Sequence, residues 1–188
     1  MSFVYANLGL AFFLSEVGLA WWKRSKRVPG ASEQDDGSLR LLWRVIGVAM
    51  TVGILLSAYG VGPFLSRSVI WQFVALLVFA LGTLVRWWAI YHLGRFFTVD
   101  VAVASDHRLV DTGPYRFVRH PSYTGLMLQF TGLALALNNL FSLLVILAPI
   151  FWALSRRMTV EERALAASLG PVYLAYTRRA KRLLPGVY

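Results

Sequence analysis

Long apolar runs alternate with shorter polar segments along this chain. Five runs are almost entirely hydrophobic: Phe3 to Trp22, Leu41 to Val61, Val69 to Tyr91, Tyr123 to Leu137 and Leu140 to Leu154. The first three are long enough to cross a hydrocarbon core of about 30 Å as helices that rise about 1.5 Å per residue. The last two would each cover only about 22 Å. The pattern predicts an all-α polytopic membrane protein with about five transmembrane helices, of which the last two form a short hairpin.

The fourth and fifth runs are joined by the dipeptide Asn138-Asn139, which is typical of a tight turn. Asn139 is suited to cap the helix that follows, because its side-chain oxygen can accept a hydrogen bond from a free backbone N–H group. Since a hairpin returns to the side where it began, Tyr123 and Leu154 are predicted to share one side of the membrane. The pattern leaves open whether the hairpin crosses the bilayer completely.

Composition agrees with a membrane location and narrows the possible chemistry. Hydrophobic residues make up 57% of the 188 residues, with seven Trp and twelve Phe, as expected for a chain with several spans. The absence of Cys excludes disulfides, thiolate nucleophiles and zinc–thiolate sites, and we predict no metal site. Residues 1–22 have no basic start and run directly into Trp21-Trp22, so we interpret them as a retained span and not as a signal peptide.

The formal net charge of +10 comes from basic residues that lie between the apolar runs. Because they form no continuous patch, we predict contact with membrane lipids and no nucleic-acid partner. Segment 23–44 has six Lys or Arg residues, segment 92–121 has four and the tail from Arg156 has seven, whereas the remaining loop has only Arg67. The positive-inside rule then predicts that the N-terminus is outside and that the C-terminus and the active site are cytoplasmic.

We predict that the chain is a single membrane domain covering residues 1–188. Residues 1–68 would be accessory N-terminal spans, and residues 69–188 would form the catalytic core. The core includes the cytoplasmic loop 92–121, which is longer than a connector requires and is expected to fold against the membrane face. It also includes the tail 156–188, whose helices are predicted to complete a cofactor site with that loop.

A polar string, Arg119-His120-Pro121-Ser122-Tyr123-Thr124-Gly125, stands where loop 92–121 turns into the fourth apolar run. A segment that only had to span a bilayer would not need a cation, an imidazole, a phenol and a proline at that point. The string is therefore a candidate functional site at the membrane surface. In a simpler interpretation, Pro121 occupies the first position of a helix, Tyr123 belongs to an interfacial aromatic belt and Arg119 only orients the chain.

The tail carries a second group of polar residues, in which Glu161 and Glu162 lie about one helical turn beyond Arg157. Four apolar or aromatic residues follow at helical intervals: Leu165, Leu169, Tyr173 and Tyr176. Gly170-Pro171 interrupts this pattern, which predicts that one helix ends near Leu169 and that a second begins with Pro171. A simpler interpretation of the two glutamates is a solvated helix face paired with Arg157.

Apart from Arg44 near the start of the second run, two charged residues fall inside the apolar runs. Glu16 would be costly within the first span unless it were paired, and pairing with an Arg is favoured over a catalytic role. Arg86 lies close to the cytoplasmic end of the third run, where its long side chain is expected to extend to water. In the following loop, a weak alternation over Val99 to Val103 is consistent with a strand.

Two blocks of the sequence resemble the isoprenylcysteine carboxyl methyltransferases and the related phospholipid methyltransferases. The first block is Leu93-Gly94-x-x-Phe97-Thr98, followed by His107-x-Leu109-Val110-x-x-Gly113-Pro114-Tyr115-x-x-x-Arg119-His120-Pro121-x-Tyr123-x-Gly125. The second is Glu161-Glu162-x-x-Leu165 with Gly170-x-x-Tyr173-x-x-Tyr176-x-x-Arg179. Together they cover about half of the chain.

The resemblance implies methyl transfer from S-adenosylmethionine, with S-adenosylhomocysteine as the product, onto the carboxylate of a lipid-modified cysteine. The lipidic or prenylated acceptor would enter sideways from the bilayer. The implied cofactor-binding residues are Gly113, Pro114, Tyr115, His120, Pro121, Tyr123, Gly125 and Glu162. The implied catalytic residues, which bind or orient the reactants or supply positive charge, are Arg157, Glu161, Glu162 and Arg179.

Other functions stay open at this point. The acceptor could be a phospholipid or another lipid amine, in which case Glu161 or Glu162 would act as a base. Some NADPH-dependent reductases of sterols or enone lipids have a similar Arg-His-Pro-x-Tyr-x-Gly string, and a non-enzymatic membrane adaptor is a third possibility. The sequence does not decide which Arg contacts an acceptor carboxylate, and it gives no oligomeric state.

Overall fold

The computed structural model describes residues 2–23, 35–66, 68, 70–99 and 108–188. The helices within these residues are α1 (Ser2–Lys23), α2 (Ser38–Ala58), α3 (Ile70–Leu93), α4 (Pro121–Ala136), α5 (Leu140–Leu169) and α6 (Pro171–Arg179). Short 3₁₀ turns at Gly94–Phe96 and Gly113–Arg116 lie in the connection from α3 to α4. In the described part, α2, α3 and α5 contain apolar stretches long enough to cross a membrane. The predicted all-α membrane fold is therefore confirmed.

The hairpin between α4 and α5 has the predicted cap. Asn139 precedes α5, and its side-chain oxygen accepts a hydrogen bond from the backbone N–H of Ser142 at 2.9 Å. The hairpin turn is joined to the segment after α2, because the N–H of Leu140 donates to the carbonyl of Pro63 at 3.0 Å. The start of α4 and the second half of α5 therefore lie at the opposite end of the bundle from this turn.

The last helix of the hairpin is longer than the apolar pattern indicated. The apolar run ends at Leu154, but α5 continues without a break to Leu169 and contains 30 residues, whereas α4 has 16. Between residues 155 and 169 there is no Gly or Pro to end a helix. Gly170 is the first residue that can, with φ of 58°, and Pro171 then opens α6 as predicted. One helix thus links the hydrocarbon part of the hairpin to the polar site.

Helices α3 and α4 pack backbone to backbone. A Cβ atom on Gly125 would lie 2.5 Å from the backbone nitrogen of Arg86, and one on Gly82 would lie 2.6 Å from that of Gln129. Such distances leave no room for a side chain, so glycine is required for this approach. The buried Gln129 also donates to the hydroxyl of Thr83 at 3.0 Å. Together these contacts fix α3 against the start of α4.

Helix α1 packs chiefly on α4, where the rings of Phe12 and Phe130 lie 5.0 Å apart. Its outer face carries Leu10, Phe13 and Leu14, which are exposed in the isolated chain, as expected for side chains that face lipid. The side chain of Glu16, in contrast to those on the outer face, points inward and is buried.

The second half of loop 92–121 folds back onto the end of α3. The hydroxyl of Tyr115 donates to the carbonyl of Ala89 at 3.4 Å, and His92 Nε2 lies 2.9 Å from the hydroxyl of Thr112. The strand predicted over 99–103 falls, apart from Val99, outside the described residues. The described part of the loop is thus held against the end of the helix bundle.

Candidate functional site

A cavity opens at the end of the bundle that faces away from the hairpin turn. It has a volume of about 1210 Å³, including its open mouth. Five of the residues selected from the sequence line it: Tyr115, His120, Tyr123, Arg157 and Glu161. The structure therefore brings the polar string and the tail to one place, although the two are separated by about forty residues.

Glu162 lies behind the cavity wall at the centre of what we call the Glu162 cluster, made of Glu162, Arg119, His120 and Arg182. Its carboxylate accepts from Arg119 Nε at 3.0 Å and from Arg182 Nη2 at 2.7 Å, and His120 Nε2 lies 3.1 Å away. The backbone adds to this arrangement, since the N–H groups of Arg119 and His120 donate to the carbonyls of Lys181 and Arg182. The segment after α6 thereby holds the polar string in place.

Arg157 is buried beside the cavity, with an exposed fraction of 2%. Its Nε donates to the hydroxyl of Tyr123 at 2.9 Å, and that hydroxyl donates to Glu161 at 2.9 Å. Its Nη1 donates to Asp35 at 2.8 Å and to the hydroxyl of Ser38 at 2.9 Å, which ties α5 to the start of α2. Since its described donors already have partners inside the protein, Arg157 is placed to hold Tyr123 and Glu161 in position.

A second buried cation, Arg86, also lines the cavity and is paired with Glu16. Arg86 Nε and Nη2 donate to the two oxygens of the Glu16 carboxylate, each at 2.7 Å, and Nη1 donates to the carbonyl of Ser122 at 3.2 Å. The pairing predicted for Glu16 is confirmed. The prediction that Arg86 extends to water is wrong, because both side chains are about 6% exposed and face each other across the helices.

The other predicted residues do not line the cavity. Gly113 has φ of 56°, and a Cβ there would meet the His92 ring at 2.6 Å. Pro114 is buried in the same turn, Pro121 is the first residue of α4, and Gly125 lies against α3. Arg179 is 64% exposed and pairs with Asp111 at the surface, so the structure places it away from the cavity.

Sequence reasoning missed the part that Arg119 plays in the cluster, because an Arg beside a membrane run is usually an orientation charge. It also gave Tyr173 no individual role, although this residue lines the cavity and its hydroxyl is buried without a partner in the described part of the chain. Burial raises the pKa of Tyr115 and of Tyr173 and raises that of Tyr176 to about 12. These phenols are therefore neutral at physiological pH and can donate hydrogen bonds.

The family model of the isoprenylcysteine carboxyl methyltransferases matches residues 73–167, which is 95 of the 188 residues. The chain belongs to this family. The matched range contains α4 and most of α3 and α5, and with them Arg86, the polar string and both glutamates of the tail. Glu16, Asp35 and Tyr173 lie outside it.

Curated members of the isoprenylcysteine carboxyl methyltransferase family are also similar to the chain. A protein-S-isoprenylcysteine O-methyltransferase of Schizosaccharomyces pombe is 27% identical over 96% of this chain and 84% of its own length. The enzyme of the same name from Saccharomyces cerevisiae is 34% identical, but over 55% of this chain and 44% of its own length.

A solved structure supports the same relation. The eukaryotic intramembrane Ras methyltransferase of this family superposes with a TM-score of 0.65 and 26% identity, covering 77% of this chain and 52% of its own. The chain therefore spans about half the length of that protein. The resemblance found in the sequence is confirmed, and with it the assignment of the chain to a family of membrane methyltransferases.

Proposed function

We propose that this chain transfers a methyl group from S-adenosylmethionine to the carboxylate of an isoprenylcysteine-like acceptor at the cytoplasmic face of a membrane. The observation that carries this proposal is a single cavity with two kinds of lining. One part has the neutral phenols and the Glu161 carboxylate, and another has a buried Arg that already holds a carboxylate with two parallel bonds.

The lining of the cavity suits a methyl donor with polar and charged groups. The Tyr173 hydroxyl is buried without a described partner, and the Glu161 side chain is 32% exposed. These two groups could bind hydroxyl and ammonium groups, while the rings of His120 and Tyr123, 5.5 Å apart, offer flat faces. When bound, S-adenosylmethionine supplies an electrophilic methyl group on a sulfonium.

The acceptor would contact Arg86 and the apolar side of the cavity. That side is formed by residues of α1, α2 and α4: Phe12, Leu42, Trp43, Ile46 and Leu126. A prenyl chain is entirely apolar, so it can bury its surface there and leave its carboxylate beside the Arg86 guanidinium. Among the arginines of the site, Arg86 is therefore our choice for the acceptor carboxylate, with Arg157 and Arg119 as positioning residues.

The chemistry needs orientation more than proton transfer. An ionised carboxylate is already a nucleophile, so its oxygen can form the new bond to the methyl carbon while the sulfur–carbon bond breaks and the sulfur leaves as a neutral thioether. Holding the two reactants in line and excluding water can contribute roughly 7 to 11 kcal/mol. Arg86 would fix one partner, and the wall made by Tyr123, Glu161 and the Glu162 cluster would fix the other.

A methyl-transfer assay on membranes tests this proposal. Radiolabelled S-adenosylmethionine is offered with an S-prenylcysteine, with its carboxamide and with extracted lipids. We expect a base-labile methyl ester on the carboxylate only. Base-stable label on an amine lipid would show N-methylation instead. Binding of NADPH without binding of S-adenosylhomocysteine in calorimetry would favour the reductase alternative.

A further inference from the structure

The Glu16–Arg86 pair raises a question that the proposed function does not answer. Arg86 lines the cavity where an acceptor carboxylate is expected, yet its Nε and Nη2 donors are occupied by a carboxylate of the protein itself. The arrangement is side-on and bidentate, as in complexes of guanidinium with a free carboxylate. Glu16 therefore takes the position that an acceptor carboxylate would take.

A buried Arg has to be paired when no acceptor is present. An unpaired cation in an apolar setting is strongly disfavoured, and Glu16 removes this penalty. A second carboxylate at the same guanidinium would meet like-charge repulsion from Glu16 at short range. The acceptor and Glu16 are thus alternative partners of one cation, and binding of the first requires withdrawal of the second.

The two residues of the pair lie on helices that are packed in different ways. Arg86 belongs to α3, which is fixed by the backbone packing at Gly125 and by the bond from Arg86 Nη1 to the carbonyl of Ser122. Glu16 belongs to α1, which packs chiefly on α4 and adds a bond at 3.3 Å from Trp87 Nε1 to the hydroxyl of Ser15. A change at the pair is therefore expected to move α1 and leave α3 in place.

We propose that Glu16 is an internal substitute for the acceptor carboxylate, which leaves Arg86 when the acceptor binds and so restricts the site to acceptors that replace its charge. The proposal rests on the proposed function, because it needs a carboxylate acceptor. It makes Glu16 a specificity-determining residue outside the range matched by the family model. An acceptor with a neutral head group could not pair the cation that Glu16 would leave behind.

The test uses the full chain, purified in detergent, with Glu16→Gln. We measure the equilibrium binding of an S-prenylcysteine and of its carboxamide, and the KM and kcat for methylation of the carboxylate. Glutamine has the size of glutamate without its charge, so the variant should bind the carboxylate roughly tenfold more tightly, as is typical of a removed competitive coupling. The KM should fall by a similar factor while kcat changes little, and carboxamide binding should stay the same.

A second variant and a control keep the test decisive. Glu16→Asp retains the charge on a shorter side chain, so it should tighten carboxylate binding by a smaller factor, and it decides the test alone if Glu16→Gln does not fold. Ser15→Ala removes the neighbouring bond to Trp87 and should affect both ligands equally.

Two results would contradict the proposal in different ways. Weaker or unchanged carboxylate binding in both Glu16 variants, with a wild type that methylates the carboxylate, would overturn this inference and leave the proposed function intact. A wild type and variants that bind S-adenosylhomocysteine but no prenyl carboxylate would overturn the proposed function, and the inference with it.

Discussion

Two glutamates near the cavity, Glu162 behind its wall and Glu16 in its lining, are held in contrasting ways. Glu162 is surrounded by Arg119, His120 and Arg182, which come from two other segments of the chain that are also joined through their backbones. Within the described residues Glu16 pairs with one cation, Arg86, and its helix α1 packs chiefly on α4. The first carboxylate is part of a wall, whereas we propose that the second is displaced by the acceptor.

This difference suits a cavity that binds two ligands of different polarity, as the proposed function requires. A water-soluble methyl donor is common to every turnover, so a fixed wall of preorganised groups suits it. In the proposed function a lipid acceptor enters from the bilayer and brings its own charge, so Arg86 needs a temporary partner until the acceptor arrives.

The largest effect is expected for Glu162→Ala. Removing this carboxylate leaves the cations of the cluster without their shared partner, which should cost about 3–5 kcal/mol of unfolding free energy. Chemical unfolding in detergent measures this value, and calorimetry should show loss of S-adenosylhomocysteine binding. Glu162→Gln keeps the size of the side chain and serves as the control, with a smaller loss. A loss below about 1 kcal/mol for Glu162→Ala would show that the wall is not held by this cluster.

A smaller effect is expected for Tyr123→Phe, which deletes the hydroxyl between Arg157 and Glu161. Hydrogen bonds to charged groups contribute about 1.5–3 kcal/mol each, so stability and the affinity for S-adenosylhomocysteine should both fall. The matched control is Tyr176→Phe. The hydroxyl of Tyr176 donates to the neutral carbonyl of Tyr115 at 2.7 Å, and its removal should lower the unfolding free energy by about 0.5–1.5 kcal/mol. Equal losses in the two variants would contradict a special role for the Tyr123 hydroxyl.

Gly125→Ala tests whether the packing of α3 on α4 fixes the position of Arg86. The added Cβ would meet the backbone of α3 at 2.5 Å, so the two helices must separate at a cost of about 1–3 kcal/mol. Gly47→Ala in the exposed part of α2 is the control. Nothing lies within 4 Å of its new Cβ, and alanine in a helix should add about 0.5–1 kcal/mol of stability. If Gly125→Ala also stabilised the protein, α3 and α4 would not be packed closely enough at Gly125 to fix the position of Arg86.

The smallest effect is expected for Arg179→Ala, although the resemblance gave this residue a catalytic role. Its partner Asp111 is at the surface, and exposed ion pairs contribute about 0.2–1 kcal/mol. Methyl transfer should remain close to that of the wild type, whereas Arg119→Ala, within the Glu162 cluster, should reduce it strongly. A matching loss of activity in Arg179→Ala would mean that Arg179 reaches the reactants in a conformation other than this one.

Local sequence signals predicted much of the fold. The apolar runs predicted the helices, Asn139 predicted the N-terminal cap of α5, and Gly170-Pro171 predicted the C-terminal end of α5. The length of α5 was harder to predict, because the change from apolar to charged residues at 154 marks a change of surroundings and not the end of a helix.

The site was predictable where its chemistry is local in sequence. The polar string and the two glutamates could be selected from their own neighbourhoods, and an unpaired acid in a span predicts some cationic partner for Glu16. Nothing local identifies that partner as Arg86, seventy residues away. The bonds from Arg119 and His120 to Lys181 and Arg182 were also not predictable, since they join backbone groups and leave no pattern in the side chains.

Those backbone bonds have a consequence for the order in which the molecule is made. The bond from the N–H of Arg119 to the carbonyl of Lys181 closes a segment of about sixty residues, which includes the whole hairpin. Contacts between residues so distant in sequence form late, and during synthesis the segment with Lys181 and Arg182 emerges after helices α1 to α5. A nascent chain that has already inserted its helices therefore still lacks one wall of the cavity, and its ability to bind a methyl donor should begin only when residues 180–183 have been added.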